Sequence, residues 1–325
     1  MSTSTALTAL LNPAMLYFML GLGAALARSD LEVPPALSTF FGSFLLMAIG
    51  FRGGAELARA LANPTLWETL AVAAFLSAGA PFYLYAVARR RFDAANAAAL
   101  AAAYGSVSAV TFACAQSLLQ EVSIPYHDYM NVALAAMEAP AIVTGALIYR
   151  HVSTRAEHSS GGRSAGATLS LVRLLATKGS LLLLVGSLAI GLLAGSAGWS
   201  AVKPLFGDIF KGILCFFLLD QGLRCGRQLG DLRAAGAAAL LFAIAMPLVG
   251  AVLGLGLGSL IGLPQGDRFL LTVLAASASY LAVPAAMREA IPKANPGVYV
   301  TLPLAITFPF NVIVGLPLYL ALASR

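Results

Sequence analysis

Charge is what this chain lacks most. Of its 325 residues only 10% are Asp, Glu, Lys or Arg, against about 25% in an ordinary soluble domain. Residues 94–120, 234–266 and 294–324 contain none of the four, and each run exceeds the roughly 20 apolar residues needed to cross a bilayer. A soluble globular protein is thereby excluded. Cysteine is also scarce: Cys114, Cys215 and Cys225 are an odd number without metal-ligand spacing, which speaks against a complete disulfide framework. The three histidines, His127, His151 and His158, fall between the apolar runs. With Lys211 the one lysine inside a run, a serine nucleophile finds no base beside it. No phosphate loop is present. An enzyme is not expected, and no cofactor is called for.

What is there is apolar: 59% hydrophobic residues and a mean hydropathy of +0.85. The pattern predicts an all-α polytopic membrane protein with ten spanning segments, at about 13–27, 36–51, 68–88, 94–120, 129–149, 179–199, 206–223, 234–262, 269–287 and 297–322. The second and seventh are short, and the seventh holds Asp208, Lys211 and Asp220. No basic residue precedes Arg28, so the first run reads as a retained span and not as a cleaved leader. Residues 150–178, rich in Ser, Gly and Arg, read as a linker.

Net charge is +6, and 14 of the 20 Lys and Arg residues lie in alternate connections, including Arg89-Arg90-Arg91 and the linker. Membrane orientation accounts for this charge without a nucleic-acid partner. Positive residues favour the cytoplasm, so a multi-pass plasma (inner) membrane protein is expected, with both termini outside and the linker inside. Asp220 and Arg224, one helical turn apart, read as an interfacial ion pair.

The linker divides a repeat. Gly23, Arg52, Gly54 and Leu57 recur 172 residues later as Gly195, Arg224, Gly226 and Leu229. Ser106 and Ser108 recur 171 later as Ser277 and Ser279, and Gly145 and Tyr149 recur 170 later as Gly315 and Tyr319. Five segments per copy is an odd number, so the second copy must cross the membrane upside down. Inverted repeats are characteristic of secondary transporters. Residues 1–149 and 179–325 are the two copies.

The repeated serines lie in Tyr104-Gly105-Ser106-Val107-Ser108 of the fourth segment and Ala276-Ser277-Ala278-Ser279-Tyr280 of the ninth. Gly, Pro and hydroxyl residues inside a span suit interrupted helices whose freed backbone faces a cavity. Two such helices crossing in opposite senses would bring half-helix N-termini together, an anion site without a basic side chain. Close helix packing is the competing reading of either serine pair alone, and recurrence in both copies favours a site. Glu138, mid-segment, is either a cation ligand or a protonated or paired structural acid. Thr307 and Asn311 in the matching part of the tenth segment offer neutral oxygens, with Asn311 equally suited to bridging helices.

At these motifs the chain resembles the sodium-dependent bicarbonate transporter family. The likeness is sharpest at Gly105-Ser106-Val107-Ser108, Glu138-Ala139-Pro140-Ala141 and Ala290-Ile291-Pro292-Lys293-Ala294-Asn295-Pro296. It implies two inverted five-helix repeats with crossed, interrupted fourth and ninth helices. A core of helices 3–5 and 8–10 would face a gate of helices 1, 2, 6 and 7. It further implies a homotrimer, sodium-coupled import of bicarbonate, and a cytoplasmic regulator of the PII type. Carried onto this chain, the anion site comprises Gly105, Ser106, Val107, Ser108, Ser277, Ala278 and Ser279. Sodium, the coupling ion, takes Ser108, Thr111, Glu138 and Asn311. Ser277-Ala278-Ser279-Tyr280 stands where better-known members resemble Ser-Ser-Ser-Asp, and Glu138 where they carry Asp, which leaves sodium stoichiometry open. Symport of another small anion, or anion sensing by a receptor, are the alternatives.

Overall fold

The computed structural model describes residues 11–156, 179–229 and 236–324; most of the linker, with Ser159, lies outside them. Helix is the only regular secondary structure among them, and no strand occurs there. In chain order the helices are α1 (Pro13–Leu26), α2 (Pro35–Ala60), α3 (Pro64–Ala88), α4 (Ala94–Gly105), α5 (Ala109–Glu121), α6 (Met130–Glu138), α7 (Pro140–Ala156), α8 (Gly179–Lys203), α9 (Phe210–Gln228), α10 (Gly236–Leu260), α11 (Gln265–Ala276), α12 (Ala282–Ala290) and α13 (Pro296–Ala323). Several starts are written in the sequence. Pro occupies the first position of α1, α2 and α3, where its fixed φ helps and its missing N–H costs nothing. Asn12, Asn63 and Asp93 cap α1, α3 and α4 with a side-chain oxygen on a first-turn amide.

Among the described residues, seven helices or joined helix pairs are long and apolar enough to cross a membrane. Three expected segments fall outside that set for visible reasons. α1 has 14 residues. α9 carries Lys211, Asp220, Arg224 and Arg227. The ninth segment is split into α11 and α12, of 12 and 9 residues.

Glycine explains how the first two helices on each side of the linker pack. α2 lies along α8, and α9 lies along α1. A Cβ on Gly50 or Gly54 of α2 would run into the Leu184 or Leu188 carbonyl of α8, and one on Gly191 would meet Phe51 in return. The other pair repeats the device: Gly222 of α9 sits on the Phe18 carbonyl of α1, and Gly21 on Leu219. Such small-residue seams let backbones approach where lipid supplies no hydrophobic drive between helices. Gly226 of α9 likewise sits against Ala25 of α1, where a Cβ would collide.

Some helices match in length across the linker. α3 and α10 are each 25 residues long with one internal proline, Pro81 and Pro247. α4 and α11 are each 12 residues and end on Ser106 (φ −85°, ψ 173°) and Ser277 (φ −87°, ψ 169°). α4 and α5 lie deep inside the described residues, and α4 is almost wholly buried. Its run of alanines is buried, and Ala102 leaves space for Gly145 of α7 to approach.

Candidate functional site

Two helix interruptions meet at the centre. α4 stops at Gly105, residues 106–108 are extended, and α5 resumes at Ala109. α11 stops at Ala276 and α12 begins at Ala282. The two breaks are laced together: the Ser108 amide donates to Ser277 Oγ (2.9 Å), and the Ser279 amide donates to the Ala103 carbonyl (2.8 Å). Ser277 Oγ in turn donates to the Leu274 carbonyl at 2.9 Å. Extended backbone deep in an apolar protein needs such partners.

A third interruption lies beside them. Pro140 has no N–H to continue the helix, so α6 ends at Glu138 and α7 starts afresh. Ser77 of α3 fills the gap, donating to the Met137 carbonyl at 2.6 Å and accepting from the Ala141 amide at 3.2 Å. Ser106 Oγ donates to the Glu138 carbonyl (2.9 Å), tying the first break to this one.

Between these breaks and helices α2 and α9 is a cavity of about 60 Å³, whose lining includes Val107, Ser108, Glu138, Phe217, Ser279 and Tyr280. A single water needs on the order of 10–15 Å³ by the same kind of measure, so a few waters, or a small ion with its ligands, fit. The first turn of α5 opens onto it. Ser108 caps that turn through its hydroxyl to the Thr111 amide at 3.2 Å, and Ala109 and Val110 line the cavity. The start of α12, at Leu281 and Ala282, lines it too. Two helix N-termini therefore place positive dipole ends and amides at one cavity.

Glu138 is the charged residue of that cavity and is 8% exposed. Among the described residues its carboxylate makes no ion pair, and no Lys, Arg or His joins it in the lining. A buried carboxylate without a partner is costly. The first turns of α5 and α12 and the unpaired Glu138 carboxylate line one cavity, a combination that suits an anion and a hard monovalent cation held together. No cluster of three His, Cys, Asp or Glu side chains occurs among the described residues, and one carboxylate with hydroxyls fits a transition metal poorly.

The structure divides the expected site residues. Val107, Ser108, Ser279 and Glu138 face the cavity. Ser106 and Ser277 spend their hydroxyls holding the breaks in register. Gly105 packs against Pro81 and Ala141, where a side chain would collide, and Ala278 is a buried core residue. Thr111 is buried on the first turn of α5 beside Ser108. The Asn311 amide group donates to the Ala276 carbonyl (2.8 Å) and accepts from the Tyr319 hydroxyl (2.9 Å), so it secures the end of α11. Around Asn311, α13 widens into π turns at Pro303–Thr307 and Asn311–Gly315.

Other residues were not singled out by sequence. Ser77 and Tyr280 belong to the site's frame and lining. Tyr280 follows the second serine pair directly, and that adjacency was the available signal. His127 gave no sign of its partner: it meets the fully buried Asp267 of α11 (Nδ1 to Oδ2, 2.6 Å), which also accepts from the Tyr129 hydroxyl at 3.0 Å. Asp220 and Arg224 form the expected pair at 2.9 Å, with Ser38 of α2 completing it.

Apolar helices of membrane-spanning length, interrupted at a shared interior cavity, define a multi-pass membrane protein of the broken-helix transporter class. The family model of the Na+-dependent bicarbonate transporter superfamily matches residues 13–324. The chain belongs to that superfamily. No curated protein matches it.

Proposed function

We propose that the chain is a secondary active symporter that carries bicarbonate into the cell with sodium by alternating access. The observation that carries this reading is the cavity where the N-termini of α5 and α12 meet beside the unpaired Glu138. In this reading the anion lies against the first-turn amides of α5 and α12 and the hydroxyls of Ser108 and Ser279. Sodium takes oxygens from Ser108, Thr111 and Glu138. Sodium neutralises the carboxylate that would repel the anion, and the anion offsets the positive helix ends that would repel sodium, so binding of one strengthens binding of the other. Amides and hydroxyls recognise charge and size more than identity, so other small oxyanions compete.

The architecture that goes with this function is ten spans in two inverted five-helix repeats. The equal lengths of α3 and α10, and of α4 and α11, support it. Helices α3–α7 and α10–α13 form the moving core, and α1, α2, α8 and α9 the gate, with their glycine seams as its rigid joints. The linker and Arg89-Arg90-Arg91 face the cytoplasm and both termini face outside. Trimeric assembly and a PII-type regulator at the cytoplasmic face complete the proposal.

The test is uptake of labelled bicarbonate by proteoliposomes under an inward sodium gradient, at fixed pH. Accumulation that requires sodium and is reduced by competing small anions is expected. Equal uptake with potassium in place of sodium would overturn the coupling.

A further inference from the structure

A second polar cavity lies away from the central one. It measures about 40 Å³, and Arg52 of α2, Lys211 of α9, Gln116 and Gln120 of α5 and Asn131 of α6 are in its lining. Arg52 Nε is held by Asp128 (2.8 Å) and Lys211 Nζ by Glu121 (2.6 Å), but neither carboxylate belongs to the lining. The remaining guanidinium and ammonium protons are donors with a choice of partner. Gln116 Nε2 donates to Asn131 Oδ1 at 2.9 Å. Asn131 Nδ2 is then left without any hydrogen-bond partner on a residue that is 0% exposed. A buried amide donor without an acceptor is rare in a finished structure and calls for explanation.

We propose that this cavity is a second anion site, taking a small oxyanion of the bicarbonate class on its way to the central cavity. The proposal rests on the reading of the chain as an anion importer. Two cationic side chains and an unsatisfied amide N–H supply donors, and the side-chain oxygens of Gln116 and Gln120 accept from the hydroxyl of hydrogencarbonate. The site flanks the C-terminal half of α5, whose dipole disfavours an anion; Arg52 and Lys211 are the groups that overcome it. Gln116 is eight residues beyond Ser108, so the two cavities lie on the order of 12 Å apart along α5. The charge asymmetry assigns this end of α5 to the outside, the side from which cargo arrives.

Trp199 reports on the site directly, because the Arg52 guanidinium lies 5.9 Å from its ring centroid. The chain has two tryptophans, and Trp67→Phe removes the other, an exposed residue at the start of α3. In purified full-length Trp67→Phe protein, bicarbonate replacing gluconate at constant sodium, pH and ionic strength should change Trp199 emission saturably. Asn131→Asp, which puts a negative charge where the donor stood, and Lys211→Gln should each raise the midpoint about ten-fold or more, the loss expected for a hydrogen bond to a charged group. Ser279→Ala should leave it in place. The Lys211 side chain is 40% exposed, so Lys211→Gln decides the matter should Asn131→Asp fail to fold. An absent Trp199 response, or a midpoint that moves with Ser279→Ala and not with Lys211→Gln, would overturn the second site. A Trp199 response without sodium-driven uptake would instead sink the transport reading and leave this site standing.

Discussion

Replacing Glu138 by Gln keeps the side chain's size and removes its charge, and two opposite consequences follow. Without sodium, the wild-type protein carries a carboxylate that is 8% exposed and unpaired among the described residues. The variant lacks that burden and should melt no lower than wild type in sodium-free buffer. With sodium the order changes. At a concentration a hundred times the dissociation constant, a ligand that binds only the folded state stabilises it by about 2.7 kcal/mol. At about 2.1 cal/mol/K of unfolding entropy per residue, a chain of 325 residues rises by roughly 1.5 °C per kcal/mol, which makes about 4 °C. Removing one member of a buried charge pair costs about 3 kcal/mol or more, so the variant's sodium affinity should fall at least about a hundred-fold. Its melting temperature should then barely respond to sodium. Thermal unfolding of both proteins in detergent, across a sodium series with choline as the balancing cation, measures this without any transport step. A variant that gains as many degrees from sodium as wild type would refute the argument and leave Glu138 a structural acid.

Ser279→Ala should raise the half-saturation for bicarbonate uptake about ten-fold or more, since a hydrogen bond to a charged group contributes about 1.5–3 kcal/mol; an unchanged value in folded protein would move the site elsewhere. Ser277→Ala, which removes the acceptor of the Ser108 amide, should instead destabilise the fold by about 1–3 kcal/mol, read as a lower melting temperature, and a wild-type melting curve would contradict the lacing described above. Gly54→Leu places a side chain in the backbone of α8 at Leu188 and should destabilise the fold by at least about 1–3 kcal/mol, visible as reduced yield and earlier unfolding, with wild-type stability as the failing result. A single cysteine at position 159 should resist impermeant maleimide in intact cells and react in inverted vesicles; labelling from outside would reverse the proposed orientation.

Much of this arrangement was legible from sequence because the bilayer leaves few options. Charge-free runs located most spans, and the serine pairs located both breaks, since an interrupted helix at that depth needs hydroxyls and small residues nearby. Boundaries were less visible. α2 continues to Ala60 and α9 to Gln228, past Arg52 and Arg224, because each arginine finds an acid, Asp128 or Asp220, inside the fold. A hydropathy pattern sees the charge and not the partner 76 residues away. The roles of individual serines were hidden for a similar reason. Ser106 and Ser279 look alike in sequence, yet one hydroxyl is bound to the Glu138 carbonyl while the other residue lines the cavity. Which way each faces depends on contacts across the two breaks. The His127–Asp267 pair, 140 residues apart, left no local trace.

In the proposed mechanism sodium and the anion share one cavity and bind as a mutually stabilising pair. Equilibrium binding of each ion to the purified protein, with the other absent and then saturating, tests it most directly. Linkage requires that sodium raise bicarbonate affinity by the same factor as bicarbonate raises sodium affinity, and Glu138→Gln should bring that common factor towards one. Bicarbonate affinity that is identical with and without sodium in the wild-type protein would contradict it.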